Sequence, residues 1–174
     1  MIITVSGSAG SGKTSLAKKL SEKLAFKHIS AGQIMRNMAK EKNISLLEFS
    51  KQAEKDSDID REIDERQKKQ AKGNCIIDGR LSAFFLKPDY KIYLTAPLDV
   101  RAKRLLRRDK CKSFEEAKNG ILKRERSELK RYKKIYGINL EDLSVYDLVL
   151  NTENLSEEDT AEIVYNIVKK SGGK

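Results

Sequence analysis

The sequence predicts an α/β fold built on a five-stranded parallel sheet flanked by helices, and two observations carry that prediction. Five short apolar, β-rich runs recur along the chain with helical stretches between them, the alternation of a doubly wound sheet. The first of these runs, Ile2-Ile3-Thr4-Val5, leads directly into Gly7-Ser8-Ala9-Gly10-Ser11-Gly12-Lys13-Thr14, a glycine-rich turn that opens a helix. At 174 residues the chain can form one domain with a full core, and it is too short for two large ones. A single domain with insertions is therefore expected.

The strands are expected at residues 2–6, near 27–30, and at 74–78, 91–95 and 147–151. The first helix, 13–25, carries Leu16, Ala17, Leu20 and Leu24 on one stripe. A second helical region begins near Ile34 and breaks around Asn43. Ser45 and Glu48 form a capping box that opens another helix, and residues 57–72 read as a further one, ended by Gly73. Ser113 and Glu116 form a second capping box, opening a long helix to about Tyr136. The last helix, 156–170, has Glu157, Glu158 and Asp159 in its first turn and Lys169 and Lys170 in its last, as the helix dipole favours. Ala161, Ile163, Val164, Ile167 and Val168 would pack it on the sheet, leaving 171–174 as a loose end.

Composition gives 39% hydrophobic and 36% charged residues, a core under a heavily charged coat. Cys75 lies in an apolar run and is expected in the core, whereas Cys111 sits among lysines and is expected at the surface; two cysteines make neither a metal set nor a disulfide framework. No leader resembling a signal peptide precedes the first strand and no apolar stretch approaches a membrane span, so a cytoplasmic protein without a membrane partner is expected. The single histidine, His28, has no cysteine or carboxylate cluster beside it to suggest a metal site. The net charge of +10 is concentrated: residues 99–134 hold fifteen Lys or Arg against six Asp or Glu. A nucleic-acid surface and a funnel for small polyanions compete to explain this excess. With only Phe114 and Tyr132 as aromatics, the segment offers little for stacking on bases, which favours arginines directed at phosphates.

The Gly7 to Thr14 octapeptide fits G-x-x-x-x-G-K-[ST] at every fixed position and defines a P-loop NTPase fold. Its glycines let successive backbone N–H groups of Gly7, Ser8, Ala9, Gly10, Ser11 and Gly12, with Thr14 and Ser15 at the helix start, curl around a phosphate chain. Lys13 would reach the β- and γ-phosphates, and Thr14 would offer its hydroxyl directly to Mg²⁺. Three more clusters stand where open α/β sheets gather ligands, at the carboxyl ends of strands. The first is Ser30-Ala31-Gly32-Gln33-Ile34-Met35-Arg36, in which Arg36 could grip a phosphate. In the second, Asp78-Gly79-Arg80, the aspartate could hold Mg²⁺ through water and the arginine adds another phosphate fork. The third is the basic segment. There Arg104 and Arg108 share one helix face, Arg124, Glu128 and Arg131 share another, and a turn around 110–113 would make a helical hairpin able to close over phosphates.

Taken together these residues resemble the nucleoside monophosphate kinase family, most closely its cytidylate kinases of the archaeal type, over nearly the whole chain. The resemblance implies that Ser30 and Gly32 line a monophosphate site and that Arg36 holds the acceptor phosphate. It also matches the cytidylate kinase pattern Arg-acid-x-x-acid-x-x-Arg to the run from Arg124 to Arg131. The match implies that Arg124 and Arg131 meet the transferring phosphates, with Glu128 orienting them or touching the sugar. It implies a core of 1–33, 73–103 and 137–170, a monophosphate-binding insertion at about 34–72 and a lid at about 104–136. The activity implied is transfer from ATP, with Mg²⁺, to CMP or dCMP by a monomer that does not bind nucleic acid. Two departures bear on the base: bacterial cytidylate kinases have an aspartate where Leu81 stands, and the Phe-Pro-Arg that follows the Asp-Gly turn of adenylate kinases is absent. A kinase for UMP, AMP or a small metabolite, and a P-loop switch that binds RNA or the ribosome, are the alternative readings.

Overall fold

The computed structural model describes residues 1–109 and 111–171. Its elements are β1 (Ile2–Gly7), α1 (Lys13–Leu24), β2 (Lys27–Ser30), α2 (Ala31–Glu41), α3 (Leu46–Lys55), α4 (Ser57–Gln70), β3 (Cys75–Asp78), α5 (Ser82–Phe85), β4 (Tyr90–Thr95), α6 (Leu98–Asp109), α7 (Phe114–Tyr136), β5 (Leu148–Asn151) and α8 (Glu157–Ser171). The five strands are all parallel, in the order β2-β3-β1-β4-β5. The chain leaves β1 at the middle of the sheet and then builds to one side before the other. The crevice beyond the carboxyl ends of the strands at such a point is where ligands settle.

Apolar residues hold each layer, and the stripes expected on α1 and α8 form the first. Leu16, Ala17 and Leu20 of α1 and Ala161, Val164 and Val168 of α8 bury against Ile3, Val5, Ile76, Ile92 and Leu94 on one face of the sheet. On the other face Met38, Phe49, Ile59 and Ile63, from α2, α3 and α4, meet Ile29, Cys75 and Ile77. The α6–α7 hairpin has a smaller core of its own, Ala102, Ala117 and Ile121, which also holds Ala9 of the P-loop.

The element ends show where local chemistry overrides pattern. Helix α2 begins at Ala31 rather than near Ile34, because the Ser30 hydroxyl accepts a bond from Gln33 N and caps it. Asp56 caps α4, which stops at Gln70, two residues short of the expected end. Helix α1 ends at Leu24, with Ala25 in the left-handed region at φ 54. Strands β3 and β5 each begin one residue later than expected and β4 one residue earlier. Helix α5 is a single turn with no period to announce it. Ser171 closes α8, while 172–174 and Lys110 of the expected turn lie outside the described residues. Cys75 is buried as expected; Cys111 is half-buried against the α6–α7 core rather than exposed.

Helix α4 turns a polar stripe inward: Asp60, Asp64 and Gln67 are all buried. Gln67 accepts from Ser82 Oγ at 2.8 Å, and Asp64 accepts from the Tyr136 hydroxyl of α7 at 2.7 Å. Burial raises the Asp64 carboxyl to about 7, against the opposing effect of the Tyr136 bond. The folded protein therefore binds a proton here that the unfolded chain releases above pH 4, so this group's contribution to stability declines from about pH 4 to pH 7. Asp64→Asn keeps an acceptor for Tyr136 without the charge. Thermal denaturation is expected to show Tm raised by roughly 5 °C at pH 8 and far less at pH 5; a variant that melts below the wild type at pH 8 contradicts this.

Candidate functional site

The P-loop leaves β1 through backbone that only glycine accommodates. Gly7 has φ 145 and a Cβ there would collide with the Leu94 carbonyl; Gly10 has φ 81 and its Cβ would stand 2.9 Å from the carbonyl oxygen of Arg101. The loop is pinned from below by Ser8 N to Leu94 O at 3.2 Å. Helix α1 then starts at Lys13 from Gly12 with no side-chain cap and no acidic residue in its first turn. Its free N–H groups and the positive end of its dipole suit an anion.

Lys13 lies over this loop, its Nζ donating to Ser8 O at 2.7 Å. Burial, with Arg80 and then Arg124 nearby, brings its ammonium down to about 7. Asp78, at the end of β3, is buried and bonded to three side chains. Thr14 Oγ1 donates to Oδ2 at 2.9 Å, Ser30 Oγ to Oδ2 at 3.3 Å, and His28 Nε2 stands 2.6 Å from Oδ1. The next turn is tied to β1, with Gly79 N donating to Val5 O and Ser6 Oγ to Gly79 O.

Arg80 points across the crevice to α7. Its Nε donates to Glu128 Oε2 at 2.6 Å, while Arg124 Nε donates to Glu128 Oε1 at 2.7 Å from one helical turn away. Glu128 is buried; burial alone would raise its carboxyl, but Arg80 and Arg124 hold it at about 2. Glu125, on the same helix, accepts from Arg101 Nη1 at 2.8 Å and from Arg80 Nη2 at 3.3 Å, and receives Ala9 N of the P-loop at 3.4 Å. Arg101 is itself buried and donates to the carbonyls of Ala9 and Ala96.

The fold thus brings Lys13, Thr14, Asp78, Arg80, Arg124 and Glu128 into one crevice. Other residues singled out in the sequence stand around its edge. Arg36 is exposed on α2 and donates to Gln33 Oε1, beside exposed Gly32. Arg131 Nε lies 2.6 Å from Asp60 Oδ2, joining α7 to α4. Arg104 is fixed on Thr152, through the side chain at 2.9 Å and the carbonyl at 2.6 Å, and that threonine in turn donates to Ser11 O of the P-loop. Arg108 is exposed a turn further along α6. Ser15 donates to Glu157 of α8 at 2.7 Å. A cavity of about 530 Å³ opens beside Arg131, between α7 and the end of α3, and is also lined by Lys55, Arg61, Lys130 and Lys134.

Arg101, Glu125, Thr152 and His28 were not assigned roles from sequence. Arg101 was one cation among fifteen, and Glu125 occupied an acidic position of the Arg124 to Arg131 pattern with no stated partner. The alternation of β2 could have found His28, since it lies two residues before Ser30 and so shares its face.

Fold and crevice together define a small P-loop phosphotransferase architecture. The model of the cytidylate kinase-like family matches residues 2–154, and the chain belongs to that family. The cytidylate kinase of Pyrococcus horikoshii is 51% identical, over 94% of this chain and 86% of the relative. That of Methanopyrus kandleri is 48% identical, over 94% and 91%. Among solved structures, a shikimate kinase from Acinetobacter baumannii in complex with shikimate superposes with a TM-score of 0.66, covering 99% of this chain and 95% of its own at 16% identity, a likeness of fold.

A ligand bearing a polyphosphate would raise the Lys13 ammonium again, so binding draws a proton from solution. At pH 8, where a group titrating near 7 is about nine-tenths neutral, calorimetric titration with a nucleoside triphosphate in buffers of different ionisation enthalpy is expected to report uptake of close to one proton. Lys13→Met is expected to abolish that uptake; equal uptake in wild type and variant rules out Lys13 as its source.

Proposed function

We propose that the protein transfers the γ-phosphate of ATP to CMP, and to dCMP, giving the diphosphate and ADP. The observation that carries the reading is the convergence of Lys13, Arg80 and Arg124 on the uncapped start of α1, organised by buried Glu128, in a chain of the cytidylate kinase-like family. Phosphoryl transfer asks little covalent chemistry of a protein, so alignment and charge neutralisation account for most of the catalysis. The acceptor is an already ionised phosphate oxygen, and no general base is required. On this reading the P-loop backbone from Gly7 to Thr14 and Lys13 hold the β- and γ-phosphates, Arg104 and Arg108 serve the donor side, and Arg124 and Arg131 meet the charge that moves in transfer. Helices α2 to α4 form the acceptor-binding region, with Ser30, Gly32, Arg36, Gly79 and Arg80 toward the monophosphate. The α6–α7 hairpin is the lid that excludes water.

The oxygen donors at the end of the P-loop suit Mg²⁺. The Thr14 hydroxyl and the Asp78 carboxylate are hard ligands 2.9 Å from each other, and this ion characteristically keeps waters while taking one or two protein oxygens beside substrate phosphates. Bound there, it would neutralise charge between the β- and γ-phosphates, with Thr14 direct and Asp78 through water.

A panel of nucleoside monophosphates assayed with ATP tests the activity. CMP and dCMP are expected to give the highest kcat/KM, with transfer far exceeding ATP hydrolysis in the absence of acceptor. Preference for AMP, UMP or a non-nucleotide acceptor overturns the substrate assignment, and RNA-stimulated hydrolysis without transfer overturns the reaction class. Lys13→Ala is expected to lower kcat at least about a thousandfold, the scale of a strong electrostatic donor; retention of a tenth of wild-type turnover would remove Lys13 from that role. Arg36→Ala is expected to raise KM for CMP strongly and KM for ATP little. An effect mainly on ATP would place Arg36 on the donor side.

A further inference from the structure

The geometry points to His28 as a positioning residue that acts through Asp78: by holding Oδ1 from β2, it keeps Oδ2 facing Thr14 and so sets the affinity of the P-loop for a nucleotide carrying a divalent cation. The inference rests on the reading of Thr14 and Asp78 as the cation end of the site. His28 Nε2 stands 2.6 Å from Oδ1, while both Thr14 and Ser30 donate to Oδ2. Parallel pairing of β2 with β3 sets Ser30 opposite Asp78 and His28 two residues before it, so one strand face delivers both side chains to one carboxylate. Asp78 is only 4% exposed. A buried carboxylate can turn about its last side-chain bond unless both oxygens are held, and turning of its plane would draw the facing oxygen away from Thr14. The Thr14 and Ser30 bonds converge on the same oxygen; among the described residues, the imidazole is the side chain bonded to the other.

Partners of this kind, which orient a ligand without touching the ion, commonly change metal affinity about 10- to 100-fold when removed. The effect expected of His28 is selective: among the described residues its side chain is hydrogen-bonded to Asp78. The chain contains one histidine, so a long-range ¹H–¹⁵N spectrum of the protein shows a single imidazole.

Two measurements test the proposal. In the spectrum, Nε2 is expected to carry the proton, and addition of ADP with Mg²⁺ is expected to shift the imidazole signals more than ADP alone. An imidazole protonated only on Nδ1, or one indifferent to Mg²⁺, overturns the proposal. In calorimetry, the Mg²⁺ concentration giving half the full gain in ADP affinity is expected to rise about tenfold in His28→Ala. His28→Gln, whose amide N–H can reach the same oxygen, is expected to return to within about threefold of wild type. KM for CMP and turnover at saturating Mg²⁺ should stay within about threefold of wild type in both variants. An unchanged Mg²⁺ requirement in His28→Ala, or failure of His28→Gln to recover in a protein that melts like wild type, overturns the positioning role alone. If wild-type ADP binding is indifferent to Mg²⁺, the cation reading of Thr14 and Asp78 falls, and this inference falls with it.

Discussion

The site depends on two carboxylates of α7, Glu128 and Glu125, placed one turn apart against the P-loop. Lys13, Arg80, Arg101 and Arg124 would repel one another if gathered in one crevice on their own. Glu128 takes Arg80 on one oxygen and Arg124 on the other; Glu125 takes Arg101 and Arg80 and also reaches Ala9 N. The two acids supply the counter-charge and fix the direction of each guanidinium. They also join three parts distant in sequence: the loop after β1, the turn after β3 and the helical hairpin. Removing one partner from a buried pair of this kind costs about 3–5 kcal/mol, so fold and site constrain each other here.

A crevice built this way is polar before anything binds, which is the condition for electrostatic catalysis: charges aimed in advance need no reorganisation at the moment of transfer. Lys13 shows the cost. Desolvated and beside Arg80 and Arg124, it holds its proton weakly. On the α4 side the same physics operates with opposite sign. Asp60 and Asp64 are pushed up to about 6 and about 7 by burial, Asp60 beside Arg131 and Asp64 beside Tyr136. The polar stripe of α4 thereby meets α7 through bonds sensitive to protonation, in contrast to the apolar contact that α2 and α3 make with the sheet.

Much of this was legible in the residues. The five strands and their common direction followed from apolar runs spaced by helices, and the glycines before Lys13 announced a loop whose backbone the structure places in left-handed conformations at Gly10 and Gly12. The four-residue spacing of Arg124 and Glu128 correctly put them on one face. Four features were missed. Helix α5 is one turn, too short for a period, and α2 starts before its expected position near Ile34 because the cap at Ser30 was not read. The partners of Arg101 and Glu125 lie across the crevice, and nothing in their own neighbourhood names them. His28 was weighed only as a metal ligand, whereas strand pairing makes it a neighbour of Asp78.

We propose that one crevice holds two phosphate-bearing ligands at once, in line and sharing the same cations. A bisubstrate analogue joining adenosine to cytidine through a chain of phosphates tests it most directly, by calorimetric titration of the protein alone and in the presence of ATP or CMP. One molecule is expected to bind per chain, with affinity well above that of either nucleotide and weakened by both competitors. Displacement by ATP together with indifference to CMP would contradict it, because the analogue would then occupy a triphosphate site that has no acceptor beside it.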